Sequence, residues 1–344
     1  MPDDVILDVR DLTLRFGGIR KDPDSGVLAV NRVSFALKAG ETLSIVGESG
    51  SGKTTIGRCI ARLYKPTAGQ MMFRAASGTV DLAQLDRSGL KPVRQQIQML
   101  FQDPNASLNS RMRIGEIVAE PLDIHGIGTR AEREAKVREL LARVGLGADA
   151  INRYPHQLSG GQRQRVGIAR SLTISPRLLI CDEPVSALDV SVQAQVLNLL
   201  GDLQAEMGLT YIFVSHDLGV VDYISDRIMV LYLGTVMELA VRDDLFAAPA
   251  HPYTRALLDA MPSRTGGRHR KRKVLGGEIA GPVGLRRGCV FAGRCPHATD
   301  ICHSEAPALR AWSRRPETQV ACHHADTLDL GSHDSPTPEP ETTT

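Results

Sequence analysis

Apolar and polar positions alternate over residues 5–14 (VILDVRDLTL) and again through residues 27–46, with Gly and Asp as punctuation. That period of two predicts an antiparallel β region. Thr42–Val46 is instead a compact apolar run that flows straight into a Gly-rich loop, as a buried strand would. Ile56–Tyr64 then reads as a helix. Residues 104–175 change character: helical stretches (Ala131–Val144, Gln162–Thr173) alternate with Pro-rich joints and carry little strand pattern. Leu178–Cys181 and Thr210–Val214 are again compact apolar strands, separated by an amphipathic helix over Val192–Met207. Strands alternating with helices predict an α/β fold with a parallel sheet and crossover helices. Residues 263–275 (SRTGGRHRKRKVL) are Gly-rich, basic and aperiodic, and are expected to form a linker. A Cys/His/Pro/Arg-rich unit follows at 276–326, and the polar tail 327–344 is expected to be disordered.

Composition adds bounds. The 344 residues are 42% hydrophobic, 23% charged and 4% aromatic, as in a soluble globular protein. A net charge of +2, from 41 basic and 39 acidic side chains, favours neither nucleic acid nor a membrane surface. No apolar run approaches the roughly 18 residues of a membrane span. The N-terminus MPDDVILDVR lacks the basic-then-apolar order of a secretory signal, so a cytoplasmic location is expected. Four of six cysteines crowd into the C-terminal region, which in a reducing compartment points to metal more than to disulfides.

Three motifs carry chemistry. Gly47-Glu48-Ser49-Gly50-Ser51-Gly52-Lys53-Thr54 fits G-x-x-x-x-G-K-[ST], occurs once, follows a strand and opens a helix. Its glycines let backbone N–H groups turn inward around phosphates, and the helix N-terminus adds partial positive charge. Lys53 is expected to reach the β- and γ-phosphates and Thr54 to ligate Mg²⁺. Leu178–Glu183 is an apolar strand ending in two carboxylates. Asp182 is placed for the Mg²⁺ shell and Glu183 to polarise an attacking water. Leu158-Ser159-Gly160-Gly161-Gln162 opens a helix with Ser159 as N-cap, making a second phosphate-binding helix terminus. One chain cannot easily bring both termini onto one ATP.

LSGGQ ahead of a strand–Asp–Glu segment resembles the ATP-binding-cassette (ABC) ATPases. The resemblance implies a P-loop NTPase of ABC type: a RecA-like parallel-sheet core, an antiparallel β subdomain and a helical subdomain at about 103–175, all within 1–262, plus a small Cys-rich C-terminal extension. It implies two cassettes packed head-to-tail, the signature of one closing over the ATP of the other. ATP and Mg²⁺ are the implied cofactors. The implied nucleotide contacts are Phe16 (stacking on adenine), Gly47, Ser49, Gly50, Gly52, Lys53, Thr54, Thr55, Asp182 and Asp189, with Ser159, Gly160, Gly161 and Gln162 serving the partner's nucleotide. Gln102 resembles the glutamine that contacts Mg²⁺ or water, Ser186–Asp189 the loop that crosses between cassettes, and His216 the histidine at the γ-phosphate.

The stretches FQDPNASLN (101–109), YPHQ (154–157) and HPYTRALL (251–258) are similar to the ATPase subunits of bacterial oligopeptide, dipeptide and nickel importers, over about residues 5–325. That likeness implies a paralogous second cassette, two transmembrane permease subunits contacted near residues 103–125, an extracytoplasmic binding protein, and a peripheral place on the cytoplasmic face of the membrane. A soluble cassette ATPase of a carbon–phosphorus lyase-type complex is a second reading.

Five, six and nineteen residues separate Cys289, Cys295, Cys302 and Cys322. That spacing fits zinc-finger templates poorly. Some importer ATPases resemble iron–sulfur proteins here, which favours a four-iron, four-sulfur (4Fe–4S) cluster; zinc and unligated thiols stay open. The basic run 264–273 reads as a solvated linker, with no nucleic-acid partner expected.

Overall fold

The computed structural model describes residues 1–17, 26–261 and 287–331. The expected linker 263–275, the start of the Cys-rich unit and the tail beyond 331 lie outside the described residues.

Strands β1 (Val5–Phe16) and β2 (Val27–Lys38) pair antiparallel, as their alternation predicts. A register shift between Val9 and Leu12 interrupts the alternation, and there Asp11 and Arg32 face each other with positive φ. The chain then enters β3 (Thr42–Val46), buried along its whole length, and helix α1 (Lys53–Ile60). This helix starts before the expected Ile56 and stops before Tyr64, because the chain turns at Arg62 (φ 54°). β4 (Ala68–Ala75) and β5 (Gly78–Asp81) complete a four-stranded antiparallel sheet of order β2-β1-β4-β5.

Helix α2 (Arg87–Gln96) leads into β6 (Ile97–Leu100). A helical region follows: α3 (Pro104–Ser107), α4 (Ile114–His125), α5 (Arg130–Arg143) and α6 (Gly160–Leu172). Ile117, Val118, Leu140, Leu141, Val166 and Ile168 form its core. Thr129 caps α5 in a capping box with Glu132.

The remaining elements are β7 (Leu178–Asp182), α7 (Val190–Met207), β8 (Thr210–Ser215), α8 (Leu218–Ile224), β9 (Arg227–Tyr232), β10 (Thr235–Val241), α9 (Arg242–Ala247), α10 (Pro252–Asp259), α11 (Asp300–Ser304), β11 (Arg310–Trp312) and β12 (Arg315–Val320). They build an eight-stranded sheet of order β11-β12-β10-β9-β3-β8-β7-β6. The five strands from β9 to β6 run parallel, and β7 and β8, like β3, are wholly buried. Continuous apolar strands with helices over both faces are what such a sheet requires.

The Cys-rich segment adds its strands to this same sheet: β12 pairs with β10, Glu238 opposite Val320 and Leu239 opposite Gln319. Phe291 joins the core cluster of Tyr232 and Tyr253. Trp312 is buried and donates to the Ala325 carbonyl (3.0 Å), and Leu328 packs against it. Among the described residues no helix is long and apolar enough to cross a membrane.

Candidate functional site

Parallel pairing brings three chemically distinct strand ends to one edge. Val46 lies beside Ser215 and Asp182 beside Val214. The phosphate loop, the Asp182–Glu183 pair and His216 therefore leave the sheet together, at the carboxyl edge where ligands of such sheets sit.

The loop is built around two glycines that admit no side chain. A Cβ at Gly47 (φ 153°) would lie 2.1 Å from the Leu231 carbonyl oxygen, and one at Gly52 (φ 101°) 2.3 Å from that of Ala29. Lys53 is buried, and its Nζ donates to the carbonyls of Gly47 (2.7 Å) and Glu48 (2.9 Å). Burial lowers its pKa, against the pull of Glu183, Asp182 and Glu48. Ser51 Oγ is buried without a hydrogen-bond partner. An unpartnered buried hydroxyl beside a folded-back lysine fits a loop whose polar groups are completed by phosphate oxygens. Ser49 and Gly50 form the exposed tip, and Thr55 is half-buried in the first turn of α1.

Thr54 Oγ1 donates to Asp182 Oδ1 at 2.6 Å, so two of the three expected Mg²⁺ ligands, which include Gln102, already touch. Burial raises the Asp182 pKa, opposed by the Thr54 bond and by Arg58. Two oxygens in a partly desolvated niche suit a hard divalent cation, which would neutralise phosphate charge there. One residue on, Glu183 takes a left-handed conformation (φ 47°) while its N–H donates to the Val214 carbonyl (3.0 Å). Its carboxylate accepts from Gln102 Nε2 at 2.9 Å and lies 3.3 Å from His216 Nδ1. Residues following β6, β7 and β8 thus meet around one carboxylate, an arrangement able to orient and deprotonate a water.

The other expected residues sit apart from this centre. Phe16 is partly exposed, edge-on to Tyr64 at 5.3 Å between ring centres. The insertion that follows it falls largely outside the described residues. Ser159 caps α6: its Oγ accepts from Gln162 N (3.2 Å) while Gln162 Oε1 accepts from Ser159 N (3.0 Å). Asp189 caps α7 through Val192 N (2.9 Å) and also bonds Ser191, which holds its carboxyl below the usual range. A Cβ on Gly161 would lie 2.5 Å from Val192 in the first turn of α7, and one on Gly160 3.6 Å from Leu188, so the signature packs against the start of α7 and the end of the Ser186–Asp189 loop. Among the described residues no hydrogen bond or ion pair joins the signature to the phosphate loop. Ser159 and Gly160 are exposed and Gly161 is half-buried, leaving the helix terminus open to an outside ligand.

Cys289, Cys295, Cys302 and Cys322 border one cavity with Phe291 and His323. Cys289 N donates to the Cys302 carbonyl (2.7 Å), which ties two of the cysteine segments together. Burial raises the thiols of Cys289, Cys322 and Cys295, the last to about 11. Among the described residues no group of three or more His, Cys, Asp or Glu side chains is arranged to hold a metal ion. The expected 4Fe–4S cluster therefore gains from the structure only the convergence of its four cysteines.

One contact was not visible in the sequence. Arg294, beside Cys295, grips Glu48 of the phosphate loop with both amino groups, at 2.8 and 3.0 Å. No spacing rule connects residues 246 positions apart.

The ABC transporter family model matches residues 30–186, and the model for the oligopeptide/dipeptide transporter C-terminal region matches residues 237–302. A putative peptide import ATP-binding protein of Brucella ovis is 55% identical over 82% of this chain and 87% of its own length. The oligopeptide transport ATP-binding protein AppF of Bacillus subtilis is 51% identical over 93% of this chain and 97% of its own. Among solved structures, a dimeric ATP-binding cassette in a post-hydrolysis state with ADP and Pi superposes with a TM-score of 0.61 at 32% identity, over 69% of this chain and 99% of that one. A component of the cbiONQ ABC transporter complex of Clostridium perfringens superposes with a TM-score of 0.62 at 29% identity, over 71% of this chain and 91% of that one.

Proposed function

The chain belongs to the ATP-binding proteins of ABC transporters, in the oligopeptide/dipeptide group, and on that footing we propose that it is the MgATP-hydrolysing subunit that powers import of peptides. The observation that carries the hydrolytic part is the meeting of Gln102, Glu183 and His216 beside the paired Thr54 and Asp182. Gly47–Thr54 bind the triphosphate, and Thr54, Asp182 and Gln102 would hold Mg²⁺, which would neutralise phosphate charge. Glu183 takes the proton of the attacking water, while Gln102 and His216 hold that carboxylate in place. Phe16 offers the ring for adenine.

The open signature terminus supports a head-to-tail pair with a second, paralogous cassette: Ser159–Gln162 of one chain serve the nucleotide of the other, with Asp189 beside the crossing. The pair docks on two transmembrane subunits at the cytoplasmic face of the membrane, and an extracytoplasmic binding protein delivers the peptide. ATP favours the closed pair and hydrolysis releases it, because only a difference in affinity between two states can drive a cycle. The four cysteines are the candidate ligands of an iron–sulfur cluster that staples the C-terminal segment. Their shared cavity supports it, and purification of a colourless protein without iron or acid-labile sulfide would rule it out.

Isolation of the native complex from membranes, followed by transport in vesicles, tests the whole reading. Co-isolated permease subunits and ATP-dependent uptake of a labelled peptide are expected. Uptake of nickel alone would move the chain to the nickel importers, and co-isolation with soluble lyase subunits would refute transport.

A further inference from the structure

Glu48, the second residue of the phosphate loop, is anchored through its backbone and its side chain. Its N–H donates to Tyr253 Oη (3.0 Å). Its carbonyl accepts from Lys53 Nζ (2.9 Å) and Ser51 N (3.2 Å). Its carboxylate takes Arg294 Nη1 and Nη2 on separate oxygens, the two-pronged geometry that only a guanidinium offers. Arg294 is 8% exposed and Glu48 24%, so little water screens the pair. Arg294 Nη1 also bonds Tyr232 Oη (3.2 Å), and its guanidinium lies 5.7 Å from that ring's centre. Phe291, three residues earlier, packs on both Tyr232 and Tyr253.

These contacts have an electrostatic meaning. A carboxylate in a loop that receives a triphosphate repels its own ligand unless its charge is neutralised. Arg294 supplies that neutralisation from the Cys-rich segment, one residue before Cys295 of the shared cavity. We propose that Arg294 is a positioning residue for the phosphate loop: by gripping Glu48 it fixes the loop's shape, cancels the loop's one carboxylate, and links ATP affinity to the cysteine-lined segment. The inference rests on the reading of Gly47–Thr54 as the ATP site.

The test measures ATP binding to the full-length chain and the KM and kcat of the assembled complex, with thermal unfolding of each variant alongside. Arg294→Met is expected to raise the Kd and KM for ATP about tenfold and to leave kcat at saturating ATP unchanged. Arg294→Lys keeps the charge without the fork and is expected to fall between the two; it also serves if Arg294→Met does not fold. Adding Glu48→Gln to Arg294→Met removes the exposed carboxylate and is expected to bring the Kd back within about threefold of wild type. A structural role alone would give no such rescue. Wild-type affinity in a folded Arg294→Met, or a double variant no better than the single one, would overturn the proposal. Failure of the wild-type chain to bind ATP would instead remove the underlying reading, and this inference with it.

Discussion

Glu183 occupies backbone space (φ 47°) that residues with a Cβ rarely adopt. Such positions cost about 1–3 kcal/mol and persist only where surroundings over-determine them. Here the N–H is tied to Val214 and the carbonyl accepts from Ser186 N and Oγ. The twist breaks the alternation of β7, so the carboxylates of Asp182 and Glu183 serve the same edge with separate partners, Thr54 for one and Gln102 with His216 for the other. Glu183→Gln keeps the size and the backbone but removes the proposed base. We expect steady-state hydrolysis in the assembled complex to fall about 100-fold or more while ATP affinity stays within about twofold. Near-normal turnover in that variant would contradict the role given to Glu183.

Between elements, β10 and α10 are joined by two buried ionisable groups that respond oppositely to acid. Glu238 accepts from the N–H groups of Ala250 and His251, both at 2.9 Å, and burial raises its pKa to about 7. His251 caps α10 by accepting from Tyr253 N (3.0 Å), and burial lowers its pKa to about 3. From pH 6.5 downward the unfolded chain protonates His251 first, so this residue's term falls with acid. Down to about pH 4.5, the reference value of Glu, the folded chain holds the extra proton on Glu238, and that term rises with acid, offsetting the first. Below pH 4.5 only the His251 term remains. His251→Asn should therefore lose about 1.4 kcal/mol less than wild type between pH 4.5 and 3.5 in urea unfolding. Parallel pH profiles would show that His251 is protonated in the folded state.

This junction also marks where sequence patterns stop informing. The phosphate loop, the Asp182–Glu183 strand and the helices between residues 104 and 175 were legible, because their chemistry or periodicity is local. β12 reads RPETQV, polar and half-exposed, and nothing local says that its partner is β10. The spacing of Cys289, Cys295, Cys302 and Cys322 could not reveal one cavity, and Arg294 gave no local sign of Glu48. Long-range pairing of charged or short elements is decided by the assembled sheet, to which sequence periodicity is blind.

For the molecule as a whole, the decisive geometry is separation. Ser159 spends its hydroxyl on α6 and its glycine neighbours lie against Leu188 and Val192, while the nucleotide loop is held by Arg294 and Tyr253. In the proposed head-to-tail pair, Ser159→Arg in this chain is expected to weaken hydrolysis of the nucleotide bound by the partner chain, and to leave nucleotide binding by its own loop unchanged. Occlusion measured with each chain's Glu183-equivalent blocked in turn distinguishes the two sites, and an effect confined to the mutated chain's own nucleotide would exclude this packing.

The Arg294–Glu48 pair spans 246 positions, and that separation is also an interval of time. At roughly 5–20 residues per second on the ribosome, Glu48 emerges some 10–50 s before Arg294 exists. Until then the loop carries an uncompensated carboxylate, and the edge of β10 waits for a strand made still later. If Arg294 positions the loop as proposed, an incomplete chain competes poorly for cellular ATP, and a message cut short before codon 294 yields a cassette whose Glu48 has no such partner.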